Sequence, residues 1–188
     1  RLNPPTVGAP KPEPPHTKHP AAATPTELGN GLVAARLAEG RLTVGPWTIG
    51  LEICDDPTDT WGHEAGAAFG GDVVATLALP REGEAVENGP ARAAWRMRSE
   101  AGGASMWAWA SVCADLPVVR LQLSVTWPLV RRRLRCRIAT EGPITEREDL
   151  VSGGPLARLV NGEEYPLNGG MRVVTAADRL GIVAAEVF

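Results

Sequence analysis

The side chains best placed to do chemistry fall in two short stretches. Asp59-Thr60-Trp61-Gly62-His63 gathers a carboxylate, an indole and an imidazole, and Glu163-Glu164 follows the turn dipeptide Asn161-Gly162. Sugars present C–H faces that stack on aromatic rings, and an imidazole hydrogen-bonds a hydroxyl. Trp61 and His63 are therefore the best carbohydrate-facing pair in the chain. Two roles are open to Trp61: contact with a sugar, or plugging the end of a sandwich and packing on a neighbouring domain. Asp59 either holds its loop or a nearby indole N–H, or touches a sugar directly. Glu163 and Glu164 are either solvated charges or further sugar contacts. The candidate substrate-binding set is Asp59, Trp61, His63, Glu163 and Glu164. No residue is assigned as catalytic, and none as a metal ligand.

Other groupings read as structural. Asp55 and Asp56 precede Pro57, where Asp side chains commonly hydrogen-bond the backbone of a turn. Trp107 and Trp109 share one strand face; such a stripe can be a sugar platform, but sandwich cores are filled by the same pattern, and core packing is the expectation. Arg131, Arg132, Arg133, Arg135 and Arg137 form a basic run whose alternating part suits an outer sheet face. His16 and His19 are spaced HxxH, but in a proline-rich stretch with no helix to bring them together. No phosphate loop, dinucleotide fingerprint, HExxH or GxSxG motif occurs.

The elements that must position these residues are short strands. Gly (21) and Pro (17) are frequent in the 188 residues, which favours a turn-rich β protein over a helix bundle. The apolar share of 44% is enough for a packed core. A net charge of −3 gives no electrostatic reason to expect nucleic acid or an acidic membrane as partner. Cys54, Cys113 and Cys136 are odd in number and lack CxxC spacing, so free thiols in a cytoplasmic protein are expected. No apolar run reaches the roughly 18 residues of a membrane span, and no signal peptide is evident. The chain begins at Arg1, which reads as a fragment or a processed chain.

Eight of the seventeen prolines lie in residues 1–25, so residues 1–27 are expected to be an extended linker or tail. Residues 28–188 read as one antiparallel β-sandwich. Residues 32–37 and 41–44 flank Glu39-Gly40 as a hairpin. Trp47, Ile49, Leu51 and Ile53 alternate onto one face, as do Ala93, Trp95 and Met97. Leu121, Leu123, Val125 and Trp127 give the cleanest alternation, and Leu134, Cys136 and Ile138 follow. Residues 73–79, 105–114, 170–175 and 181–187 complete the strands. Residues 146–150 are expected to form a single helical turn.

Four segments, in order, resemble the accessory β-domain of family 38 glycoside hydrolases, the α-mannosidases. Leu28-Gly29-Asn30-Gly31-Leu32 with Gly40-Arg41-Leu42 is similar to that domain's opening strand and turn. Asp56-Pro57-Thr58-Asp59-Thr60-Trp61-Gly62-His63 matches D-x-x-D-T-W-G-H and is the most specific piece. Val86-Glu87-Asn88-Gly89-Pro90-Ala91-Arg92 resembles v-e-x-G-P-l-R, followed by Trp127 in the v-x-W position. Gly153-Gly154 through Arg158, then Asn161-Gly162-Glu163-Glu164-Tyr165-Pro166, is similar to the last motif. The chain departs from the family at Glu64 (usually Gly), at Pro128-Leu129 after Trp127, and at Met171.

The resemblance implies a galactose-mutarotase-like supersandwich over residues 28 to about 187. It implies an accessory domain that packs on a catalytic barrel and lends loops to a mannoside pocket. The family's zinc ligands and Asp nucleophile lie in that upstream barrel, so neither zinc nor any other cofactor is expected in this chain. The alternative is a free-standing carbohydrate-binding or interaction module. A mutarotase-like enzyme would need a His and a carboxylate converging in a cleft, with His63 as the one histidine outside the tail.

Overall fold

The computed structural model describes residues 16–56, 71–161 and 169–183. Among these residues there is no helix, and fifteen strands, numbered β1 to β15 along the chain, form three antiparallel sheets. The first sheet holds β1 (Ala22–Ala23), β2 (Glu27–Gly29), β3 (Ala34–Ala38), β4 (Arg41–Val44), β5 (Trp47–Asp55), β6 (Val73–Thr76) and β11 (Arg132–Thr140). Its order is β1-β2-β3-β4-β5-β11. The first half of β5 pairs with β4 and the second half with β6, while β11 runs along the whole of β5. The second sheet is β10 (Val119–Thr126), β9 (Ala104–Cys113), β8 (Arg92–Ala101) and β7 (Glu84–Asn88), in that order. The third is β13 (Gly154–Arg158), β12 (Ile144–Val151), β14 (Gly170–Thr175) and β15 (Arg179–Val183).

Local chemistry explains the turns. Between β3 and β4, Glu39 and Gly40 both have positive φ (50° and 76°), as a two-residue hairpin of type I′ requires. The right-handed backbone twist of that turn matches the twist of the flanking strands, which holds Leu37 opposite Leu42.

The first two sheets stack into a sandwich around one apolar core. Leu28, Ala35, Leu42, Leu51 and Ile53 meet Ala93, Trp95, Met97, Met106 and Ala108 across it. Period-two alternation produces this directly, since every second side chain of β8 and β9 points inward. Volume is balanced along the register: Trp95 pairs with Ala110 and Met97 with Ala108. The Trp95 ring is fully buried, and its indole N–H donates to the Thr24 carbonyl at 2.8 Å. Gly83 lies flat against that ring; a Cβ there would sit 2.5 Å from it.

Asn30 clamps the two sheets together. Its amide nitrogen donates to the carbonyls of Cys113 and Leu116, and its oxygen accepts from the N–H groups of Leu32 and Val33. Residues 16–27, assigned from sequence to the linker, are part of this packed structure. Ala21 and Ala23 are buried, Ala21 N–H donates to the Pro90 carbonyl, and Asn88 exchanges two hydrogen bonds with Ala23. Prolines at 20 and 25 flank a two-residue edge strand, where their missing N–H groups do no harm.

The third sheet lies outside that core. The buried Trp47 indole N–H donates to Asp178 Oδ2 at 3.2 Å, which ties β5 to the turn between β14 and β15. Residues 146–150 belong to strand β12 and do not form the expected helical turn. The reason is an ion cluster that needs a period of two. Asp149, fully buried, accepts from Arg147 Nε and Nη2 (2.7 and 2.9 Å), with Arg158 Nε 3.4 Å away. Arg147 and Arg158 are direct cross-strand partners, so the carboxylate sits between two guanidinium groups on one face. Among the described residues no helix is long and apolar enough to cross a membrane.

Candidate functional site

The sequence-predicted sugar contacts, Asp59, Trp61, His63, Glu163 and Glu164, lie outside the described residues. The residues that flank the first group are described, and they converge. Asp55 N–H donates to the Asp72 carbonyl at 2.9 Å, and Asp56 N–H donates to the Arg131 carbonyl at 3.1 Å. Gly71 packs so tightly here that a Cβ would fall 2.0 Å from the Asp55 carbonyl oxygen. Both ends of the 57–70 connection therefore meet at the end of β5. The Asp55 carboxylate pairs with Arg132 Nη1 at 2.7 Å, an ion pair across strands β5 and β11 in place of the expected turn bond.

The basic run on β11 is organised by carboxylates of β5. Glu52 accepts from Arg135 Nε at 2.9 Å and lies 3.7 Å from Arg137 Nη1. The hydrogen bond from Arg135 to Glu52 raises the Arg135 pKa above its ordinary value and keeps the guanidinium charged. As expected from alternation, Arg133, Arg135 and Arg137 share one face, opposite to Leu134, Cys136 and Ile138. The three cysteines are free thiols, with Cys54 buried and Cys136 exposed.

Trp107 and Trp109 overturn their sequence assignment. Core packing is the expectation, but the inward-facing buried residues of β9 are Ala104, Met106, Ala108, Ala110 and Val112, and the two indoles stand on the outer face. Trp107 is 38% exposed. Its ring stacks beside that of Trp109, with centroids 6.4 Å apart and planes at 30°. Arg96 and Arg98 of β8 place their guanidinium carbons 5.3 and 5.5 Å from the Trp107 ring centre. Both arginines are themselves neutralised. Glu84 accepts from Arg96 Nε and Nη2 at 2.8–2.9 Å, and Glu100 pairs with Arg98. On the other side, Gln122 of β10 lies opposite Trp109 and Ser124 opposite Trp107, both exposed.

A shallow depression of about 380 Å³ beside Pro20, Gly29 and Leu32 has one charged residue in its lining, Glu27, which is engaged with Arg36. Among the described residues it has no second carboxylate to serve as partner in acid–base chemistry. Among the described residues no group of three or more His, Cys, Asp or Glu is placed to hold a metal ion. The sequence matches no protein-family model and no curated protein.

Proposed function

We propose that this chain is a non-catalytic β-sandwich domain of an α-mannosidase-like glycoside hydrolase, of galactose-mutarotase-like type. In the whole enzyme a separate barrel domain carries the zinc and the hydrolytic carboxylates, and this domain supplies packing and rim loops for a mannoside. The observation that carries this reading is the segment Asp56 to His63, in order with three further segments of the same resemblance. The antiparallel sandwich supports it, as does the hydrogen bond between Asp55 and Asp72, which brings the described residues flanking 57–70 together. A free-standing carbohydrate-binding module is the second reading, favoured by the outward-facing indole pair on β9, of which Trp107 is exposed and Trp109 half-buried.

Two measurements test the first reading. The coding sequence upstream of Arg1 is expected to encode a zinc-binding barrel; an upstream region with no such domain would refute it. The isolated chain is expected to leave an aryl α-mannoside intact with zinc added. Zinc-dependent turnover by these 188 residues would overturn the non-catalytic role.

A further inference from the structure

We propose that the outer face of β8, β9 and β10 is a glycan-binding surface, with Trp107 and Trp109 stacking on sugar rings and Gln122 and Ser124 bonding their hydroxyls. The inference rests on the carbohydrate role above for its ligand class, and none of its residues belongs to the 57–70 segment.

The placement is the first support. β9 is an interior strand of its sheet, flanked by β8 and β10, so the indoles stand in the middle of a hydrogen-bonded surface. Register builds two parallel rows: Arg96, Trp109, Gln122 and Arg98, Trp107, Ser124. Each row presents an aromatic ring with a guanidinium on one side and a neutral polar group on the other. The 6.4 Å spacing joins the two rings into one apolar shelf long enough for adjacent pyranose units. The shelf is preformed, because Arg96 and Arg98 hold the Trp107 ring and are in turn held by Glu84 and Glu100.

The chemistry of the surroundings selects the ligand class. Single-stranded nucleic acid also stacks on indoles, but it needs a positive groove for its phosphates. Here Arg96 and Arg98 already have carboxylate partners, Arg120 on the same face of β10 adds one exposed cation rather than a groove of them, and the chain carries a net charge of −3. Tryptophan and arginine are also common at protein interfaces, but there they surround a wider apolar core. This shelf is bordered instead by Arg96, Arg98, Gln122 and Ser124 within one strand spacing. A neutral oligosaccharide fits both demands. Its C–H faces cover the rings, and its hydroxyls accept from guanidinium and amide and exchange bonds with the serine.

The test uses the full chain with α-mannopentaose, a panel of other neutral oligosaccharides, and an oligo-dT strand. Tryptophan fluorescence and isothermal titration report affinity, and NMR follows the indole N–H signals of Trp107 and Trp109. A panel glycan is expected to bind and to shift both signals. Trp107→Ala, with its fold checked by circular dichroism, is expected to weaken binding about tenfold or more. Should that variant misfold, the wild-type indole shifts decide the matter alone. Glycan binding that leaves both indole signals unmoved, or is undiminished in folded Trp107→Ala, would overturn the proposal. So would the absence of binding across the panel at millimolar ligand, or binding of oligo-dT alone. Binding at this face by a non-mannose glycan but not by α-mannopentaose would uphold the site and count against the α-mannosidase assignment.

Discussion

Replacing Asn30 with Ala should destabilise the protein by about 3 kcal/mol. A primary amide has two N–H donors and an oxygen that accepts twice. Asn30, 3% exposed, uses all of that capacity. Its nitrogen donates at 2.7 Å to both Cys113 and Leu116, and its oxygen accepts at 3.0 Å from both Leu32 and Val33. Alanine removes four bonds and leaves four backbone groups to be satisfied elsewhere. At about 1 kcal/mol net each the loss is about 4 kcal/mol, and water at the exposed Leu32 and Leu116 recovers part of it. For a chain of this size the melting temperature should fall by about 6–12 °C. Urea unfolding followed by tryptophan fluorescence should show a lower midpoint with an unchanged slope.

Asn30→Asp sharpens the test. It keeps the two acceptor contacts but faces a carboxylate oxygen towards the Cys113 and Leu116 carbonyls. The native state then favours the neutral acid, so the folded pKa of this introduced group lies above its unfolded value of about 3.9. Relative to wild type at the same pH, its stability is greatest below that value and declines as pH rises through the folded pKa. A Asn30→Ala protein within about 0.5 kcal/mol of wild type would refute the inter-sheet clamp. So would a penalty for Asn30→Asp that does not change with pH.

Three further outcomes follow from the described geometry. Asp149→Ala removes the fully buried anion shared by the part-buried Arg147 and Arg158; a loss of about 3 kcal/mol in chemical denaturation is expected, and one below about 1 kcal/mol would contradict the cluster. Trp95→Ala should cost about 3–5 kcal/mol, while Trp107→Ala should cost under about 1 kcal/mol; equal losses in the same urea titration would mean that the two faces of the second sheet have been interchanged. Although Cys136 as a residue is exposed, packing around its sulfur partly desolvates the thiolate and raises its pKa above that of a solvated thiol, so its alkylation rate should rise with pH at a higher midpoint than a free cysteine's. In native protein Cys54 should not react at all, and mass spectrometry of alkylated peptides separates the two sites.

The sequence alone determined the class of fold and most of its strands. Alternation at Ala93, Trp95 and Met97, or at Leu121, Leu123 and Val125, is local: residues two apart share a face wherever the strand is placed. The Glu39-Gly40 hairpin is equally local, because two adjacent positive φ angles define the turn. Strands β12 and β13 were not legible, since their charged residues look solvated until Arg158 is brought across from Arg147 and Asp149. The candidate sugar contacts named from sequence, Asp59, Trp61, His63, Glu163 and Glu164, lie outside the described residues, and the hydrogen bond between Asp55 and Asp72 bears only on the residues that flank the first three. The face of β9 was decided by tertiary structure alone. Periodicity says that Trp107 and Trp109 lie together, but not which side meets the opposing sheet. With Trp95 and Met97 already filling the interior from β8, there is volume across from them for Ala110 and Ala108 and none for two more indoles. Packing therefore turned the larger side chains outward, onto the surface where a ligand can reach them.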